Sequence, residues 1–262
     1  MPFPTSLSSR IAGWSSAASR RIGFAPRPGQ HSIGQASWLL TRTVARQRLG
    51  QRHLEDEYLD LVGADTVACT VRTSLPIPGH SVERATALLA PLDGARFLVV
   101  SPGARYGPAK RWPVSRFATA ARAISKVLRG TGIVVVGEAA DLEVGRELSE
   151  RLGPNVINLV GKTDLPTLSS LLASSAGVLS NDSGTAHLAA AVGATTAVLF
   201  GSTDPAWTAP RGDRVTVIHH KVRCSPCFRR QCPLIDAYAC LRILEARTVT
   251  DSFAALCGCE AA

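Results

Sequence analysis

The segment "SPGARYGPAKRWP", residues 101–113, places Arg105, Lys110 and Arg111 in one loop directly after the apolar run Phe97–Val100. Pro102-Gly103 permits a tight turn with close backbone approach. Pro108 and Pro113 stiffen the loop, and Pro113 suits the first position of a following helix. Cations beside a helix start, where N–H groups and the dipole already favour negative charge, make a site for an anion such as a diphosphate. A second segment, "SNDSGTAH" at 180–187, follows another apolar run and opens an apolar helix. Asp182 or Ser183 can cap that helix, Gly184 allows close approach of a ligand, and His187 lies one turn in. An aspartate there can accept hydrogen bonds from sugar hydroxyls while helix N–H groups bind phosphate. A plain capped helix would read the same way.

Three more segments carry candidate chemistry. In "VGEAAD", 136–141, Glu138 follows a strand and could hold ribose hydroxyls, or serve only as an acidic first turn. "VGKTD", 160–164, is like the end of a P-loop, but position 156 is Val rather than Gly, which excludes an ATPase of that kind. Cys224-Ser-Pro-Cys227 has chelate spacing, and Cys232 and Cys240 follow. Four thiolates could close a structural Zn or Fe site; reduced thiols or a redox pair are the alternatives. Cys257 and Cys259 are read as unrelated to this group.

Loops of this kind need a scaffold. Short apolar runs at Phe97–Val100, Ile133–Val136, Val156–Leu159, Gly177–Leu179, Thr196–Phe200 and Val215–Ile218 predict strands buried on both faces. Helices are expected between them, at about 115–129, 140–152, 165–174 and 184–192. Such alternation predicts a doubly wound parallel sheet whose ligands sit beyond the carboxyl ends of the strands. The first 90 residues are less regular. Ser6–Ala18 and Glu55–Val62 read as helices, Arg20–Phe24 as a short strand and Pro26–Gly29 as a loop. Pro76–Gly79 reads as a linker and Ser81–Leu89 as a helix. The expected division is a partial domain at 1–78 and a second at 79–262, which ends in a cysteine-containing loop at 221–240 and one or two helices.

With 262 residues, 45% hydrophobic and 19% charged, the chain is globular rather than disordered. Its net charge is +9, and 25 of its 29 basic residues are Arg, the side chain suited to bidentate contacts with phosphate and carboxylate. No run of 18 apolar residues predicts a membrane-spanning helix. Seven cysteines, an odd number, argue for reduced thiols in a cytoplasmic setting. Charge and cysteines alone would also fit a nucleic-acid-binding protein. Only 5% of the residues are aromatic, however, too few to interleave with the basic ones as base-stacking platforms.

Taken in order, "PGARYGPAKRWP", "VVVGEAADLE", "NLVGKTDL", "SNDSGTAHLAAAVGATTAVLFGSTDP" and "CSPCFRRQCPL" resemble the heptosyltransferases of glycosyltransferase family 9, with "GPAKRWP" most like the heptosyltransferase II branch. "FPTSLSSRIAGWSSAASRRIGF" is similar to the later part of that family's N-terminal domain. The resemblance implies an α/β fold of GT-B type, two Rossmann-like domains with the N-terminal one incomplete. It implies inverting transfer of heptose from ADP-L-glycero-D-manno-heptose to the lipopolysaccharide inner core, with no required cofactor and no nucleic-acid partner. The setting it implies is cytoplasmic, with a peripheral place on the inner face of the inner membrane as an option. Carried over by position, Lys110 contacts the diphosphate and helps the leaving group, and Asp182 holds the heptose. Ser183, Gly184, Thr185 and His187 surround phosphates and sugar. Gly103, Arg105 and Tyr106 belong to the same donor site, with Glu138 and Thr163 near the adenosine.

One departure is at the front. Family members open on a strand, a Gly-containing turn and an Asp that serves as general base, and none of these precedes Glu55, the first acid of the chain. The expectation is a chain that starts part-way through the N-terminal domain, keeps donor binding and lacks the base. The alternative function is then a non-catalytic nucleotide-sugar-binding remnant.

Overall fold

The computed structural model describes residues 7–25, 37–63 and 75–259. The chain divides into two compact units, Met1–Val71 with Ala206–Thr208, and Arg72–Pro205 with Ala209–Ala262. The loop expected at Pro26–Gly29 lies outside the described residues.

In the smaller unit, β1 (Ile22–Phe24) pairs in parallel with β2 (Arg42–Val44), so that Phe24 stands opposite Val44. Helices α1 (Leu7–Ser15) and α2 (Leu54–Val62) accompany them. Three acids, Glu55, Asp56 and Glu57, fill the first turn of α2, where they complement the helix dipole. Glu57 is buried against Arg46, with Nη2 2.6 Å from Oε2, and the Arg46 guanidinium lies 4.5 Å from the centre of the Phe24 ring. Tyr58 meets the same ring edge-on at 5.7 Å. Removing one partner of a buried ion pair costs roughly 3–5 kcal/mol, because the other charge is left without compensation. Arg46→Ala is therefore expected to lower the denaturant midpoint of the smaller unit, with Arg46→Met/Glu57→Leu recovering most of the loss. An unchanged midpoint in the single variant would show that the pair contributes nothing net.

The larger unit holds six parallel strands: β3 (Phe97–Ser101), β4 (Gly132–Val135), β5 (Val156–Asn158), β6 (Gly177–Asn181), β7 (Thr196–Phe200) and β8 (Val215–His219). Their order is β5-β4-β3-β6-β7-β8. Its helices are α3 (Gly79–Leu89), α4 (Val114–Val127), α5 (Leu142–Leu152), α6 (Leu165–Ser174), α7 (Gly184–Ala191), α9 (Ala239–Arg242) and α10 (Ala246–Cys257), while the short α8 (Pro205–Thr208) belongs, from Ala206 on, to the smaller unit. Every residue of β3, β6 and β7 is buried, as strands covered on both faces must be. Alternate residues serve opposite layers. Leu98, Val100, Val135, Leu179 and Leu199 pack with Phe117, Ile124, Leu148 and Phe253 of α4, α5 and α10. Phe97, Val99, Val134 and Val178 pack with Ala85, Leu171, Leu172 and Leu188 of α3, α6 and α7.

The six predicted strands and four predicted inter-strand helices are all present, with shifted ends. Helix α4 stops earlier than its periodicity suggests, because Arg129 and Gly130 take left-handed backbone angles, with φ of 66° and 77°. Pro113 is the N-cap of α4 rather than its first helical residue, since its ψ of 131° is extended. The parallel sheet order reverses direction between β3 and β6, and a doubly wound sheet opens a crevice at that point.

Candidate functional site

At the carboxyl ends of β3, β4, β5 and β6 lies a cleft of about 620 Å³. Four strand-to-helix loops wall it, and every candidate site residue outside the cysteine loop lines it: Gly103, Arg105, Tyr106 and Lys110 from the first, Glu138 from the second, Thr163 from the third, and Asp182, Ser183, Gly184, Thr185 and His187 from the fourth. Leu165, Leu168 and Leu188 supply an apolar side, and Ser101, Gly161 and Asp141 complete the polar rim.

Lys110 and Asp182 meet inside the cleft, with Nζ 2.5 Å from Oδ2 and both side chains largely buried. The Thr203 hydroxyl donates to the same Oδ2, also at 2.5 Å. The Asp182 N–H donates to the Leu199 carbonyl, which fixes the backbone that presents the carboxylate. An ammonium has three N–H donors, so a lysine bound once to Asp182 still has donors for an anion. Asp182 is thus turned to Lys110 and Thr203, and the N-cap of α7 is Ser183, whose extended backbone leaves the first turn with no side-chain cap. Its Oγ lies 3.1 Å from Ser180 Oγ. The N-terminus of α7 therefore faces the cleft uncapped, a place suited to an anion.

The loop after β3 is braced at its tip and at its root. At the tip, the Tyr106 hydroxyl donates to the Phe228 carbonyl, Arg230 Nε donates to the Tyr106 carbonyl at 2.7 Å, and Ala109 N–H donates to the Arg230 carbonyl at 3.2 Å. The Tyr106 ring lies under Lys110 Nζ at 4.9 Å and Arg230 at 5.6 Å. Gly107, at φ 142°, brings the backbone so near that an added Cβ would stand 2.7 Å from the Arg230 oxygen. At the root, Asn181 holds both strands of the loop: its Nδ2 donates to Pro102 O at 2.7 Å and its Oδ1 accepts from Trp112 N at 3.1 Å.

The three loop cations part company. Lys110 faces the cleft floor. Arg105 stands exposed at the mouth, 3.7 Å from Glu138 Oε2. Arg111 turns toward Asp141, 3.4 Å away, and does not line the cleft. The first turn of α4 does not line it either; the helix start that Lys110 accompanies is that of α7. The sequence alone assigns no role to Asn181, Thr203, Asp141 or Arg230, although each stands inside or beside one of the motifs above. No local signal marks them, because each takes its role from residues distant in the chain.

The expected metal group at Cys224, Cys227, Cys232 and Cys240 is not formed. Among the described residues no three His, Cys, Asp or Glu side chains are arranged to hold an ion. Hydrogen bonds fix this loop instead. Cys227 N–H and Phe228 N–H both donate to the Ser202 carbonyl, and Ser225 Oγ donates to the Gly201 carbonyl. Burial first, and the neighbouring thiols second, push the Cys240 thiol above its ordinary pKa. Cys224 is exposed. The loop serves the site through its backbone, as the brace on Tyr106.

The model of glycosyltransferase family 9 (heptosyltransferase) matches residues 2–237. The chain belongs to glycosyltransferase family 9. This family member is 40% identical over 141 residues to lipooligosaccharide heptosyltransferase 2 of Haemophilus influenzae, a match covering 52% of this chain and 39% of that protein. It is 36% identical over 131 residues to lipopolysaccharide heptosyltransferase 2 of Escherichia coli, covering 47% and 37%. The match spans about two fifths of the length of each of these two relatives. Its fold is that of E. coli ADP-heptose LPS heptosyltransferase II, with a TM-score of 0.75 at 22% identity over 97% of this chain and 74% of that one. The family assignment thus agrees with the α/β fold of parallel sheets, two strands in the smaller unit and six in the larger. No helix among the described residues is long and apolar enough to cross a membrane.

Proposed function

We propose that the cleft binds ADP-L-glycero-D-manno-heptose and that the protein serves inverting transfer of the heptose to the lipopolysaccharide inner core. The observation that carries this reading is the buried Lys110–Asp182–Thr203 set beside the uncapped start of α7. In such a transfer the acceptor oxygen bonds to the anomeric carbon as the bond from that carbon to the diphosphate oxygen breaks. The acceptor proton leaves to a base, and negative charge grows on the departing ADP. Lys110 and the N–H groups of Gly184 and Thr185 stand ready for that charge, and fixed donors there favour the transition state over the ground state. Lys110 supplies at the diphosphate the positive charge that a divalent cation could otherwise bring, so the reading requires no cofactor. Asp182, its Oδ2 occupied, offers Oδ1 to a heptose hydroxyl. Glu138 and Thr163 lie toward the adenosine, with Ser183, His187, Gly103, Arg105 and Tyr106 around phosphates and sugar. The +9 charge suits an anionic acceptor at the inner face of the inner membrane, and a cytoplasmic protein held there peripherally.

Calorimetry with ADP and ADP-heptose on the 262-residue chain tests this, with Asp182→Ala alongside. The expected result is a preference for ADP-heptose over ADP that the variant loses. A folded chain that binds neither would end the reading. A second reading, binding without transfer, is favoured by two acids of the smaller unit: Glu57 and Asp60 are each engaged by an arginine, Arg46 and Arg52. Donor binding with no heptose transfer to a core acceptor would select it.

A further inference from the structure

We infer that Asn181 is a positioning residue for Lys110, an inference that rests on the donor-site reading above. Its side chain is fully buried at the carboxyl end of β6, one residue before Asp182. Its amide is used in both senses, donating to Pro102 O at 2.7 Å and accepting from Trp112 N at 3.1 Å. Pro102 and Trp112 are the two ends of the loop that carries Lys110, so one side chain closes the loop at its base. The same strand end presents the carboxylate that Lys110 meets. Asn181 thereby sets the separation of the two halves of the Lys110–Asp182 pair, although it lines no part of the cleft itself.

The requirement is narrow. The residue needs a donor and an acceptor on one short, planar, uncharged group, which among the side chains of this length only an asparagine amide supplies. Leucine keeps the volume and leaves both backbone groups buried without partners. Aspartate keeps the acceptor but turns a second oxygen on the Pro102 carbonyl. Without the tie, the loop ends are free to separate, and a displacement of about 1 Å at a reacting group can cost 10²-fold.

Asn181→Leu and Asn181→Ser, each alone and with Lys110→Ala, should be titrated calorimetrically with ADP and with adenosine, with circular dichroism confirming the fold. Adenosine keeps the base and ribose and lacks the groups that Lys110 would meet. The expected result is at least a tenfold loss of ADP affinity with adenosine affinity unchanged, and no further loss when Lys110 is already alanine. Unchanged ADP affinity in a folded variant overturns the inference. So does an equal loss for ADP and adenosine, which marks a merely structural role, and so does full additivity with Lys110→Ala. If Asn181→Leu does not fold, the smaller Asn181→Ser carries the same outcomes. A wild-type chain that binds no ADP removes the donor-site reading itself, and is distinguished by failing before any variant is compared.

Discussion

Lys110→Ala is expected to weaken ADP binding at least tenfold and to lower heptose transfer, in an enzyme that performs it, by about 10²–10³. Two effects add. On the proposed donor-site reading, the variant removes a cation placed where the leaving diphosphate gains charge. It also strips Asp182 of its cationic partner, leaving a buried carboxylate held only by Thr203, which an incoming diphosphate must face. A buried charge so exposed costs roughly 3–5 kcal/mol, so the variant should also melt earlier. Lys110→Ala/Asp182→Asn separates the two: stability should return while ADP affinity stays low. Lys110→Arg keeps the charge but replaces a compact ammonium by a planar fork, and partial binding is expected. Calorimetric titration with ADP beside thermal melting checks all three, and wild-type affinity in a folded Lys110→Ala would remove Lys110 from the site.

Gly103→Ala should be nearly as damaging, for a steric reason. A Cβ at this position would lie 2.2 Å from Cγ and Oδ2 of Asp141 and 2.6 Å from Oδ1. Asp141 is itself buried and engaged, accepting from Glu138 N–H at 3.2 Å and meeting Arg111 at 3.4 Å. Either the loop that carries Lys110 moves outward, or Asp141 leaves the start of α5 and takes Glu138 with it. Both displace a wall of the cleft, and a misplacement of about 1 Å can cost 10²-fold. Overpacking of this kind also costs about 1–3 kcal/mol of stability. Adding Asp141→Ala to Gly103→Ala should restore part of the ADP affinity, because the second change removes the atoms the first collides with. Wild-type ADP affinity in Gly103→Ala alone would show that Asp141 shifts without cost.

Much of the larger unit is legible in the sequence for one reason: its strands are buried on both faces, so Phe97–Val100 or Thr196–Phe200 stands out as an unbroken apolar run between turns. The cleft loops are legible because glycine, proline and charge coincide at strand ends. What escapes is what depends on distant chain. β2 is three residues, Arg-Thr-Val, too short for any alternation and recognisable only once Phe24 is seen opposite Val44. Asn181 earns its place from Pro102 and Trp112, 79 and 69 residues away, and Thr203 from Asp182, 21 residues away. The cysteine spacing is local and suggests a chelate, yet the path of the loop is decided by the Ser202 and Gly201 carbonyls, which spacing alone does not contain.

All four loops that wall the cleft rise from the same end of one sheet, while the cores on either side of that sheet contain none of the eleven candidate cleft residues. At the exposed rim of the cleft, selection on ligand choice therefore acts apart from selection on folding, whereas at Lys110, Asp182 and Gly103 the two coincide. Substitutions at Arg105, Glu138 or Thr163 can accumulate without disturbing Val99 or Leu179, so a lineage could change the ligand of the cleft while the strands stay as they are. For the engineer the same separation marks where a library belongs: in the rim residues, with Asn181, Gly103 and the Tyr106 brace left untouched.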